Sequence, residues 1–153
     1  MEHTYFMELA LEEAKKAYEL GEVPIGAIIV RDNQVIASAF NKREIGHNAT
    51  YHAELLAIQE ACEKLGGWRL IGCTMYVTLE PCLMCAGAII NSRLEKLIYG
   101  ARDPKAGAVH SLYHVLEDTR LNHQVEVVEG VLAVESSALL KDFFANLRLK
   151  NKS

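Results

Sequence analysis

Four residues have the types and the spacing that chemistry needs: His52, Glu54, Cys82 and Cys85. In Pro81-Cys82-Leu83-Met84-Cys85 two cysteines flank two residues, after the apolar run Met75-Tyr76-Val77-Thr78-Leu79 and before Ala86-Gly87-Ala88-Ile89-Ile90. The pair therefore falls where a strand hands over to a helix. Backbone N–H groups at a helix N-terminus carry partial positive charge, which lowers thiol pKa and holds anionic ligands in position. A Cys-x-x-Cys pair alone has two readings, a redox couple or half of a zinc site. His52-Ala53-Glu54, at the start of an earlier helical stretch, favours the second by adding a third ligand and a carboxylate.

Three protein ligands leave a tetrahedral zinc ion one position for water, an arrangement for catalysis rather than for stapling. Two thiolates cancel the charge of the ion, so the water is acidified less than at a three-histidine site and needs a base nearby. On this reading Glu54 is the base. Residues two apart on a regular helix point in nearly opposite directions, but in the first turn both can face a site beyond the helix end. The metal is thus expected between two helix N-termini. The rival reading, two ordinary buried cysteines and a helix histidine, leaves the four-residue pattern unexplained. Cys62 lies mid-helix among apolar neighbours and Cys73 precedes a strand, so both read as small buried hydrophobes. His47, His110, His114 and His123 lack ligand spacing to the cysteine pair and read as residues around a site or on the surface.

The elements that position these residues follow from periodicity. From Thr4 to Leu20, Phe6, Leu9, Ala10, Ala14 and Ala17 recur at helical spacing, with Thr4 as the expected N-cap and Gly21 as the stop. Ile25 to Val30 and Val35 to Phe40 read as a hairpin. The polar stretch from Lys42 to Thr50 is a loop, and a helix from about His52 to Leu65 ends at Gly66-Gly67. Met75 to Leu79 is a third strand, followed by a short helix to about Ser92. Lys96 to Gly100 is a fourth strand and Val125 to Val128 a fifth, with a helix expected around Leu112 to Leu116 in the long connection between them. A last helix runs from Ser136 to about Leu149, and the polar tail Lys150-Asn151-Lys152-Ser153 is expected to fray. The pattern predicts a three-layer α/β/α sandwich around a five-stranded mixed sheet, with an initial antiparallel hairpin and later strands parallel.

The chain has 153 residues, half of them hydrophobic, enough for one buried core and too few for two, so residues 1–153 are expected to form a single domain. A formal net charge of −4 gives no global attraction to nucleic acid or anionic membrane, so a polyanionic partner requires a local basic patch. Lys42, Arg43, Arg102, Lys105, Lys141, Arg148, Lys150 and Lys152 are its candidates, with scattered solvated charge as the alternative. No apolar run approaches the length of a membrane span and Met1-Glu2-His3-Thr4 lacks a signal-peptide layout, so a cytoplasmic location is expected.

His52-Ala53-Glu54 together with Pro81-Cys82-Leu83-Met84-Cys85 resembles the signature of the zinc-dependent nucleoside deaminases, the cytidine/deoxycytidylate deaminase superfamily. Wider blocks resemble the bacterial tRNA-specific adenosine deaminases within it. These are Glu22-Val23-Pro24-Ile25-Gly26-Ala27, Trp68-Arg69-Leu70, Tyr76 to Cys82, Met84 to Ala88, Gly100 to Lys105, Leu121-Asn122-His123 and Asp142-Phe143-Phe144. The resemblance implies a cytidine-deaminase-like fold, one Zn2+ per subunit, a homodimer, and hydrolytic deamination of adenosine to inosine at the first anticodon position of a tRNA.

It also implies roles. Glu54 would take a proton from the activated water, deliver it to the ring nitrogen and help ammonia leave. Asn41 would hydrogen-bond the purine, although by itself it reads as the start of a turn. Val23, Pro24 and Ile25 would form pocket wall, Asp103 would contact the RNA near the extruded base, and Phe143 or Phe144 would present an aromatic surface to a neighbouring base. The two phenylalanines are about 100° apart on a helix, so one packs inward while the other faces a rim. Tyr51 stands where the family usually has a smaller residue, and Val109-His110-Ser111 replaces a run of small ones. The rival activities are deamination of a free base or nucleoside (cytosine, cytidine or guanine), and a non-catalytic zinc- or RNA-binding subunit.

Overall fold

The computed structural model describes residues 2–152, with side chains to residue 151. In chain order the elements are α1 (His3–Glu19), β1 (Gly26–Arg31), β2 (Gln34–Phe40), α2 (Ala53–Leu65), β3 (Cys73–Leu79), α3 (Leu83–Asn91), β4 (Lys96–Ala101), β5 (Glu126–Val128) and α4 (Ala133–Lys152). The sheet order is β2-β1-β3-β4-β5. β1 pairs antiparallel with both β2 and β3, whereas β3–β4 and β4–β5 are parallel, which gives the expected mixed sheet. Asp32 and Asn33 both take positive φ, 51° and 61°, closing the hairpin as a two-residue turn whose twist matches its strands.

Alternation along the central strands creates two apolar faces. Ile28 and Val30 of β1, with Tyr76 and Ile98, meet Phe6, Met7 and Ala10 of α1. Ala27 and Ile29, with Met75, Val77, Leu97 and Tyr99, meet Ala53, Ala57 and Ile58 of α2 and Ala86 and Ile89 of α3. Helices thus cover both faces, as the strand pattern requires. α1 approaches the sheet closely at Gly26, where a Cβ would stand 2.1 Å from the Ala10 carbonyl oxygen. α4 lies on the same face as α1: a Cβ on Gly100 of β4 would meet Ser136 Oγ at 2.6 Å, and the Phe143 ring packs edge-on against Tyr18 of α1 at 5.5 Å.

Three expectations are corrected. Thr4 is not an N-cap: the helix starts at His3 with Glu2 in the capping position and no side-chain cap, and His3 Nδ1 instead ties the first turn to the Tyr76 hydroxyl at 2.7 Å. The helix expected around Leu112 to Leu116 is only a 3₁₀ turn over Val115–Glu117, because this connection takes its hydrogen bonds from elsewhere, as described below. The polar tail is not separate from the last helix, since α4 continues to Lys152, with no glycine or proline to stop it. Ser153, the last residue of that expected tail, lies outside the described residues.

Candidate active site

The site is assembled from two helix starts on one face of the sheet. His52 is the N-cap of α2 and Cys82 the N-cap of α3, both with extended backbone, and neither uses its side chain as a cap. Their carbonyls begin the helices, accepting from Leu56 N at 3.1 Å and Ala86 N at 2.8 Å. The imidazole and the thiol are thereby left free to point beyond the helix ends. Cys85, one turn into α3, completes the group: His52 Nδ1 lies 3.7 Å from Cys82 Sγ and 3.6 Å from Cys85 Sγ. Ligands at the usual zinc–nitrogen and zinc–sulfur bond lengths and a tetrahedral angle stand about 3.6 Å apart. The donor set therefore fits such an ion in both type and spacing. Among the described residues it is the only cluster of three or more histidine, cysteine or acidic side chains that could hold a metal.

The electrostatics separate the two thiols. The hydrogen bond from Cys85, followed by that with His52, holds Cys82 well below the ordinary thiol range. Donation to Cys82 and burial push Cys85 far up. The hydrogen bond to Cys82 also raises His52. Glu54, in the first turn of α2, is 4% exposed. Burial pushes its carboxyl up to about 7, where one group can both accept and donate a proton.

These residues open into a cavity of about 780 Å³ with His52, Glu54 and Cys82 in its lining. Val23, Ile25 and Asn41 also line it. Asn41 is 5% exposed: its side-chain N–H donates to the Val23 carbonyl and its Oδ1 accepts from Arg43 N, both at 3.3 Å. One amide N–H and one lone pair remain for a ligand. Pro24 does not line the cavity, contrary to expectation. It is the buried middle residue of a tight turn closed by Ile25 N–H to the Val23 carbonyl at 2.9 Å, and that turn presents its two neighbours instead.

Asp103, Pro104, Lys105 and Ala106 form another wall. Asp103 Oδ1 accepts from Lys105 N at 3.0 Å and Ala106 N at 3.3 Å, fixing the turn that carries its own carboxylate. From α4, Phe144 lines the cavity and is 40% exposed, whereas Phe143, 8% exposed, packs inward. The rim holds Arg43, Arg102, Lys105, Lys141 and Arg148, so five of the eight candidate cations surround one opening. Lys42 instead lies over the Phe40 ring at 4.8 Å, Lys150 is not in the lining, and the Lys152 side chain is outside the described residues. Neither departure from the family pattern lines the cavity. Tyr51 packs on Gly46, where a Cβ would come within 2.3 Å of its ring, and His110 Nδ1 lies 2.6 Å from the Tyr99 hydroxyl.

Two buried carboxylates escaped sequence reasoning. Glu22, 1% exposed, accepts from Glu44 N at 3.0 Å and Ile45 N at 2.6 Å and so holds the 42–50 loop. Glu80, 2% exposed, accepts from Asp103 N at 2.9 Å, Val109 N at 3.0 Å, His110 N at 2.8 Å and Ser111 N at 2.9 Å, and from the Ser111 hydroxyl. Burial would raise its pKa, but these hydrogen bonds outweigh burial and hold it at about 2. The available signal was a charged residue abutting an apolar strand or a helix stop, a pattern shared by many surface residues.

An α/β/α sandwich with a His–Cys–Cys group and a buried glutamate at two helix starts is the architecture of a deaminase. The chain belongs to the MafB19-like deaminase family, whose model matches residues 1–148. It is 53% identical to the tRNA-specific adenosine deaminase of Bacillus subtilis over 97% of this chain and 92% of that one. It is 49% identical to the enzyme of the same name from Aquifex aeolicus, over 94% and 95% of the two chains. Among solved structures, one from a study of A-to-I editing by tRNA:A34 deaminases at the wobble position of transfer RNA superposes with a TM-score of 0.87 at 48% identity, covering 90% of this chain and all of that one. A guanine deaminase from Bacillus subtilis superposes less well, with a TM-score of 0.64 at 38% identity over about two thirds of each chain, 67% and 66%.

Proposed function

We infer that the protein is a hydrolytic tRNA adenosine deaminase that converts adenosine to inosine at the first anticodon position. The observation that carries this reading is one cavity lined by His52 and Cys82 of the His52–Cys82–Cys85 group, a buried glutamate and a cationic rim, in a chain about half identical to named tRNA-specific adenosine deaminases along almost its whole length. The reaction breaks the bond between the ring carbon and its amino group, forms a carbon–oxygen bond from water and releases ammonia.

His52, Cys82 and Cys85 would hold one zinc ion, which when bound supplies Lewis-acid activation of water. The chain's own residues do the rest. Glu54 accepts one proton of the attacking water on its carboxylate and passes it to the ring nitrogen beside the reacting carbon. It then takes the second proton from the new carbon-bound hydroxyl as the carbonyl forms and delivers it to the departing amino group, which leaves as ammonia. Such shuttling contributes about 10²–10⁴-fold in rate. Asn41 offers its remaining amide N–H and lone pair to the purine, Val23 and Ile25 bound the base, and Phe144 presents its ring to a neighbouring one. Asp103 stands at the wall an extruded nucleotide would meet, and the cationic rim neutralises flanking phosphates. An anticodon loop suits this cavity because its bases cost less to unstack than those of a duplex.

We further place the enzyme in the cytoplasm as a homodimer. No described helix is long and apolar enough to cross a membrane. Support for the dimer comes from the exposed apolar side chains of Leu83, Leu112 and Tyr113, at the start of α3 and in the connection that packs near it.

Base conversion tests the reading, measured on a panel of a tRNA with adenosine at the first anticodon position, its anticodon stem-loop, free adenosine, cytidine, cytosine and guanine. Inosine confined to the RNAs is the expected result. Ammonia from guanine with both RNAs untouched would move the protein to free-base deamination.

A further inference from the structure

We propose that Glu80 is a positioning residue for this reaction: its buried carboxylate fixes the 103–106 wall of the cavity relative to the turn bearing Cys82, and so sets where the RNA base is seated. The proposal rests on the reading of the cavity as the base site.

The connection from β4 to β5 has almost no regular structure to satisfy its own backbone, and the N–H groups of residues 103, 109, 110 and 111 converge on this one side chain. The Ser111 hydroxyl adds a fifth donor. Among the described residues no lysine or arginine lies within ion-pair distance of Glu80. A carboxylate buried without a cation is costly unless N–H groups replace its water, and here the loop itself supplies them. Gly107 is part of the fit, because a Cβ there would stand 2.3 to 2.5 Å from the carboxyl atoms of Glu80. A second tie runs in parallel, from Ala108 N–H to the Pro81 carbonyl at 2.9 Å. Glu80 and Pro81 immediately precede Cys82. The loop is therefore referenced directly to the segment that carries the metal-ligand pair, and residues 103–106 inherit that reference as cavity wall. Glu80 also borders the cavity, but both of its carboxylate oxygens are taken up by the loop donors, so its effect passes through the wall they fix.

The test uses E80Q and S111A in the zinc-loaded full chain. In E80Q the amide NH₂ meets backbone N–H donors whichever way it is turned, whereas S111A removes one donor and leaves the rest. Amide exchange over residues 103–111 is expected to accelerate about tenfold or more in E80Q, with the amides of α2 and the zinc content unchanged. KM for the anticodon stem-loop should rise about tenfold with kcat within about threefold, the signature of lost substrate binding rather than lost chemistry. S111A should move both readouts the same way by a smaller factor, and it carries the test if E80Q does not fold. Unchanged exchange over 103–111, or a lowered kcat at unchanged KM, overturns the proposal. The exchange measurement needs no RNA, so its failure is distinguishable from failure of the base-site reading, which would show as an unsubstituted protein inactive on every RNA.

Discussion

His52 and Cys82 hold equivalent positions in two different helices, each the N-cap residue, with their donor atoms 3.7 Å apart. Their meeting depends on α2 and α3 packing side by side on one sheet face through small residues, Ala53 and Ala57 from one and Ala86 from the other. Because ligands from separate elements converge, the metal would also join those elements. Chelation is expected to lower the melting temperature, and zinc at about 1,000 times its dissociation constant to restore about 4 kcal/mol. C85A should abolish both the restoration and the bound zinc. Thermal melts with metal analysis check this; a melting temperature indifferent to chelator and zinc in the unsubstituted chain would remove the metal from the fold's stability.

Glu54 sits two residues after His52 but is not part of the group that could hold a metal. E54A is therefore expected to keep zinc at the unsubstituted level while inosine formation falls by about 10²–10⁴-fold or more. Single-turnover assays on the stem-loop, with zinc measured on the same samples, decide it. Turnover at the unsubstituted rate would remove Glu54 from the proton path.

Phe143 and Phe144 should separate stability from activity. Phe143 is buried against Tyr18, and its ring also meets that of Phe144 edge-on at 5.4 Å. F143A should cost about 3–5 kcal/mol in denaturant unfolding. F144A removes a cavity-facing ring and should cost under about 1 kcal/mol, yet lower kcat/KM on RNA about tenfold, since an aromatic–base stack contributes about 1–3 kcal/mol. The reverse pattern would reassign the two rings.

What the sequence made legible was the part of the protein in which function lies in residue type and local spacing. Cysteines two residues apart before an apolar run, and a His-x-Glu opening another, mark the helix starts and the side chains that could hold a metal and move a proton beside it, and strand alternation reveals both faces of the sheet. The 102–122 connection was not legible in the same way. Its order depends on Glu80, a side chain more than twenty residues upstream of every group it binds, and no local propensity encodes that. Pro24 was misplaced for a related reason: its ring fixes a turn, and the turn presents Val23 and Ile25 to the cavity. Which phenylalanine faces inward depended on how α4 lies across α1, a tertiary fact that 100° of helical rotation alone leaves open.

Acid should act first on the loop. The Glu80 carboxyl is held at about 2 in the folded protein against an ordinary value of 4.5. A carboxyl with a depressed folded-state pKa contributes stability that is fully present above its unfolded value and is lost as pH falls through the folded one. The contribution of Glu80 should thus be complete above about 4.5 and decline between there and about 2. Protonation replaces an acceptor with an O–H among N–H donors, so amides 103–111 should lose protection in that window before α1 and the central strands do. E80Q, which lacks the titrating group, should show fast exchange in this loop at about pH 6 already and little further change on acidification. Exchange mapped from about pH 6 to about pH 2.5, corrected for the intrinsic rate, measures both curves. Parallel curves for the two proteins would mean that another group controls the acid response of this wall.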